Sequence, residues 1–144
     1  MRECYSDVRF YNPGNHHWYF QRTFGDIAEA RRNHCAVIVG KFMFITGGVN
    51  SYGKYLKDIV SLNLESLKWF NYEVEGFYEE GIAFSSATPI FKSEIKMENP
   101  YLTYEYVRRK GKKLIKMGEE GIFMFGGRLG NGEATAEMRI IKVG

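Results

Sequence analysis

Five side chains in this 144-residue sequence have the chemistry to hold a transition metal or to act as nucleophile or base: Cys4, His16, His17, His34 and Cys35. Their spacing does not assemble a site. Zinc-type ligation draws on pairs such as Cys-x-x-Cys or His-x-x-x-His, which bring two ligands to one side of a turn, and the sequence has neither. His16 and His17 are adjacent, in a turn ahead of Trp18. His34 reads as a hydrogen-bonding residue of the turn before a strand, and Cys35 as a small packed side chain. Gly126-Gly127-Arg128-Leu129-Gly130 has the look of a phosphate loop, but it leads into a strand, whereas the phosphate motif opens a helix. No Ser-His-Asp set or carboxylate dyad can be placed. The expectation is therefore no catalytic residue, no metal and no cofactor.

Loops are the better functional candidates, because rigid scaffolds carry function on their connections. Arg31, Arg32 and Asn33 lead into one apolar run. Asn50, Ser51 and Tyr52 follow Gly47-Gly48, while Arg128 and Asn131 follow Gly126-Gly127. Arg and Tyr are frequent interface anchors, so these eight residues are the expected partner-binding set. A second charged feature is the stretch 92–120, with eight Lys/Arg and five Glu. The rest of the chain balances at twelve of each sign, so the whole net charge of +3 lies there. "YLTYEYV" and "KKLIKM" can pair as strands around a basic tip of Arg108, Arg109, Lys110, Lys112 and Lys113, with Gly111 at the turn. Such a tip could meet an acidic protein, a phospholipid or RNA. Basic turns also serve simply to keep strand edges apart. The tyrosines precede the basic residues rather than interleave with them, so the stretch lacks a stacking signature for nucleic acid.

The elements that must position these residues are short strands. Aromatics at 16% and 16 glycines against 3 prolines fit many strands joined by Gly-rich turns. Val37–Val39 and Phe42–Ile45 flank Gly40-Lys41, a hairpin signal. Ile59–Leu64 forms a further strand, and the next starts at about Trp69. Asp58 is expected to bond loop amides with its carboxylate and so fix where its strand begins. The N-terminus has no apolar core like that of a signal peptide, and no apolar run approaches the ~18–20 residues of a membrane span. Two cysteines make no disulfide framework, which fits a reducing, cytoplasmic setting.

The sequence also repeats. "DVRFYNPGNHHW" and "DIVSLNLESLKW" superimpose without a gap 51 residues apart, Trp18 falling on Trp69. "ARRNHCAVIVG" falls on "GIAFSSATPIF" in the same frame. "FITGGVNSYG" matches "FMFGGRLGNG" at an offset of 79, so about 28 extra residues intervene. An apolar run into a double glycine (Gly47-Gly48, Gly126-Gly127), an Asp-led strand at Asp58 and a tryptophan beyond it (Trp18, Trp69) together resemble the kelch repeat. That resemblance implies an all-β fold, a segment of a kelch-type β-propeller with four-stranded antiparallel blades. Residues 1–24 would end one repeat, 31–75 form a complete one, and 82–144 form an incomplete one carrying the insertion 92–120.

About two and a half repeats do not close a ring, since four blades need about 200 residues. Further blades are then expected from flanking sequence or another chain. The resemblance implies a non-catalytic scaffold holding a protein partner on its inter-strand loops. The other readings are a segment of a propeller enzyme, like the kelch-type oxidases and mutarotases, and an anion-binding module built on the basic hairpin.

Overall fold

Strand signals and turn chemistry coincide in a computed structural model that describes residues 1–72, 77–90 and 121–143. Every regular element among them is a strand, and no sheet is closed. The basic tip at Arg108–Lys113, and the whole stretch 92–120 with the strands expected in it, lie outside the described residues.

The first elements are β1 (Val8–Asn12) and β2 (His17–Gln21), an antiparallel hairpin forming a two-stranded sheet. The largest sheet contains β4 (Cys35–Val39), β5 (Phe42–Thr46), β6 (Ile59–Asn63) and β7 (Lys68–Tyr72), all antiparallel neighbours. Gly40 takes φ 58° in the two-residue turn between β4 and β5, as a tight hairpin requires. A short fifth strand, β3 (Phe24–Gly25), lies parallel to β7. Nothing in the local sequence announces β3; its pairing with Lys68–Trp69 is made by the tertiary fold. The last large sheet orders β9 (Ser86–Ile90), β10 (Gly121–Phe125) and β12 (Met138–Lys142) with β10 in the middle. β8 (Ile82–Ala83) and β11 (Arg128–Leu129) pair as a two-residue ladder.

Local geometry recurs at the spacings of the sequence. β6 lies 51 residues after β1 and β7 the same distance after β2. His16 and Leu67, the last residues of the two hairpin turns, both have φ 58°. Asn12 Oδ1 accepts from Gly14 N, and Asn63 Oδ1 accepts from Glu65 N in the same way. An Asn at the end of the first strand therefore holds each turn through its side chain. β10 and β12 follow β5 and β6 by 79 residues, and the loops between them fold alike. Leu56 N donates to Gly48 O as Thr135 N does to Gly127 O.

The sheets are layered through alternating side chains, since residues paired across a ladder share a face. One face of the large sheet presents Cys35, Val37, Val39, Phe44 and Ile59 to Ile122 and Met124 of β10, with Phe77, Tyr78 and Ile82 in the same cluster. The opposite face gathers Ile45, Val60, Leu62 and Trp69, with Ala28, and receives Val8 from the first hairpin. Trp69 is 2% exposed, and its indole N–H donates to Thr23 Oγ1 at 3.0 Å. This satisfies the one polar atom of a ring that is otherwise core.

Trp18, which aligns with Trp69 in the sequence, is not core: it is 68% exposed. The register is the same, Trp18 opposite Tyr11 and Trp69 opposite Leu62. The surroundings differ. Trp69 is covered by Val8 of the preceding hairpin and by the chain from Thr23 to Ala28, whereas Trp18 lies on the outer face of a hairpin that has no third strand among the described residues.

Candidate functional site

A ridge of loops at one end of the sheets collects most of the sequence-predicted binding residues. The segment before β4 pairs with the loop after β5 through the Arg32–Val49 bridge. Gly48 N donates to Ile82 O at 2.7 Å, and Ile82 N donates to Leu56 O at 3.0 Å, which joins that loop to the segment before β9. Gly130 N donates to Gly81 O at 3.2 Å, joining the loop after β10. Four segments thus form one hydrogen-bonded strip. The double glycine makes the closeness possible. Gly47 has φ 65°, and a Cβ there would run into the Ile82 carbonyl. Gly48 has φ 99°, and a Cβ would sit 2.8 Å from Arg32 O.

Arg31 is not a presented binding residue. Its side chain is 4% exposed and braces the strip from inside. Nη1 and Nη2 donate to Asp58 Oδ1 and Oδ2 at 2.7 and 2.8 Å, a two-pronged ion pair. Nη1 also donates to Gly47 O at 3.0 Å, and Nε donates to Glu29 O at 2.9 Å. The Asp58 carboxylate thus takes a guanidinium rather than loop amides, and this corrects the expectation for both residues. Glu137, which lies 79 residues after Asp58, pairs with Arg139 at 3.0 Å. The Arg139 guanidinium carbon stands 3.8 Å from the centre of the Tyr78 ring.

Asn50 is likewise internal at 6% exposure. Its Oδ1 accepts from Tyr52 N and Lys54 N, and its Nδ2 donates to Glu29 Oε1 at 2.8 Å. An amide that both accepts and donates shapes the loop from within, and little of it is left to present. Ser51 is half-buried, its Oγ accepting from Cys4 N at 3.1 Å. Arg32 Nη1 donates to Asn50 O at 3.0 Å and to Cys4 Sγ at 3.2 Å. Cys4 therefore ties the N-terminal segment to the ridge, a role its sequence context does not signal. Glu29 was equally silent in the sequence.

Four of the eight predicted residues are displayed. Tyr52 is 82% exposed at the tip of its loop. Asn33 is exposed with φ 57°, a conformation that Asn tolerates better than most residues. Arg128 is exposed, with Nε donating to Gly132 O at 3.1 Å, and exposed Asn131 closes its own turn by accepting from Glu133 N. Beside Asn33, loss of water around the ring, and then the charge of Arg31, push the His34 imidazole below its usual pKa. His17 begins β2 and His16 ends the turn before it, with Nδ1 2.7 Å from the Tyr11 hydroxyl. Among the described residues, no three His, Cys, Asp or Glu side chains gather as a metal set. No described helix is long and apolar enough to cross a membrane.

Comparison with protein-family models gives no match, and comparison with curated proteins gives none. Among solved structures, one titled "Structure of YjhT" is similar, with TM-score 0.49 and 13% identity. The match covers 96% of this chain and 49% of that one, so the chain spans about half its length.

Proposed function

We propose that the chain is part of a kelch-type β-propeller that holds a protein partner on its loop ridge, without catalysis. The observation that supports this reading is the contrast within the ridge. Arg31 and Asn50 are spent on bracing neighbouring loops, while Asn33, Tyr52, Arg128 and Asn131 stand outward from that brace. A rigid strip with exposed aromatic and cationic side chains is suited to binding, because little order is lost when a partner docks. Tyr52 and Arg128 are the side chains of the types that anchor such contacts.

A photo-cross-linking amino acid placed at Tyr52 or Arg128 of the full chain, expressed in cells, tests this. The control position is Lys41, in the turn at the opposite end of the large sheet, where it pairs with Glu65. The expected result is one protein adduct shared by positions 52 and 128 and absent at 41. Arg128→Ala should weaken the adduct formed at 52. Equal labelling at both ends, or none at the ridge, overturns the reading.

A further inference from the structure

Among the described residues, the outer faces of the first hairpin and of the last sheet are of the two types that meet inside the molecule. Within the molecule, each contact joins one type of face to the other. The face of the large sheet that carries Ile59 packs on the β10 face that carries Ile122 and Met124. From the β1–β2 hairpin, Val8 packs on the large-sheet face that carries Leu62 and Trp69, while Phe10 and Tyr19, on the same side as Val8, stay 48% and 39% exposed. Among the described residues, two faces are left over. On the first hairpin, Arg9, Tyr11, Trp18 and Phe20 share the outer face, in the register of Val60, Leu62, Trp69 and Asn71. On the last sheet, Phe123, Phe125, Met138 and Ile140 share the outer face, in the register of Phe44, Thr46, Ile59 and Ser61.

Both outer faces are largely apolar where a solvated sheet would be polar; on the last sheet Phe125 is exposed and Phe123, Met138 and Ile140 are half-buried. Tyr11, Trp18 and Phe20 are 43%, 68% and 65% exposed, and Phe125 is 47% exposed. At roughly 200 Å² for a buried aromatic, the first three alone offer about 350 Å². That approaches half of the ~800 Å² each partner contributes to a specific interface. Scattered surface aromatics need no explanation, whereas a contiguous patch of about 350 Å² is on the scale of the largest patch of an ordinary monomer, which is often functional.

We infer that a second copy of this chain is the partner, stacked head to tail, its last sheet covering the first hairpin. The register names the contact. Val8 reaches the Trp69 cluster, and Ile59, its counterpart in the large sheet, is 2% exposed against the β10 cluster. Met138 is the third residue at that position, so Met138 of the second copy meets Trp18. The contact uses different surfaces on the two copies, so it closes into a ring if the rotation suits and otherwise continues. The inference rests on sheet faces and is independent of any partner on the loop ridge.

The test uses the full 144-residue chain and two variants, Trp18→Glu and Met138→Glu, each followed by sedimentation velocity from about 1 to 100 μM, the range of a moderate interface. Wild type is expected to associate as concentration rises. Each variant alone should stay monomeric, because each has lost one half of the contact. Mixed in equal amounts, they should form a heterodimer and stop there, since Met138→Glu keeps an intact first hairpin and Trp18→Glu keeps an intact last sheet. That rescue also establishes that both variants are folded. A wild-type chain that remains monomeric throughout overturns the inference and leaves the faces to flanking sequence or another protein. A Met138→Glu chain that still self-associates overturns it in favour of a contact between two first hairpins.

Discussion

At the residue scale the most informative side chain is Arg31. Arginine ahead of a strand reads as a surface anchor, yet here it carries four hydrogen bonds to Glu29, Gly47 and Asp58. Removing the buried member of a partly buried ion pair strips the other of its charge-assisted hydrogen bonds. Because the Asp58 side chain is 28% exposed and keeps some water, Arg31→Ala is expected to lose about 1.5–3 kcal/mol of stability, seen as a lower urea midpoint. Tyr52→Ala should stay within about 0.5 kcal/mol, as exposed substitutions do. An unchanged midpoint for Arg31→Ala would mean that the brace is not formed in solution. His34 supplies a pH prediction at the same scale. Its folded pKa lies below the unfolded value of about 6.5, so the unfolded chain binds more protons as pH falls. Stability is then complete above about pH 6.5 and declines as pH drops from there through the folded pKa. Denaturant melts between pH 7.5 and 5 should show that decline in wild type and a flatter profile in His34→Gln.

At the element scale, the hairpins were legible in the sequence and the contacts between them were not. The β4–β5 hairpin follows from two apolar runs around Gly40-Lys41, and the ends of β1 and β6 follow from asparagines that fold back on the turn. β3, β8 and β11 are two-residue strands formed by tertiary pairing, and a window of two residues has no periodicity to read. Trp18 and Trp69 illustrate the limit most directly. Their sequence contexts align and their registers agree, yet one is exposed and the other is core, because burial depends on what lies against the sheet. Trp69→Ala is expected to cost about 3–5 kcal/mol, whereas Trp18→Ala should barely alter the melt of a dilute, monomeric sample. The glycines allow a similar contrast. Gly40→Ala meets only the left-handed backbone penalty of about 1–2 kcal/mol, since nothing lies within 4 Å of the added carbon. Gly47→Ala adds a collision with the Ile82 carbonyl and should be the more damaging of the two in thermal melts. Equal losses would indicate that the two segments can separate without strain.

For the whole molecule, an all-β chain whose sheets stack face on face has stability that depends on its neighbours. In stacked arrays each layer is stabilised by the layers beside it, and the end layers are short of partners. If a second copy supplies the missing layer, unfolding is coupled to dissociation, and stability becomes a function of concentration. For a dimer that melts directly to unfolded chains, a hundredfold rise in concentration adds about 2.7 kcal/mol per dimer, or roughly 1.4 kcal/mol per chain. For a chain of this length that corresponds to about 3–6 °C in Tm. Calorimetry of the wild-type chain at two concentrations a hundredfold apart should record this shift, and Trp18→Glu should melt at one temperature at both. The comparison isolates the contact from intrinsic folding, because Trp18 contributes little to the core of its own chain. A wild-type Tm that does not move with concentration would assign the whole of the stability to contacts within one chain.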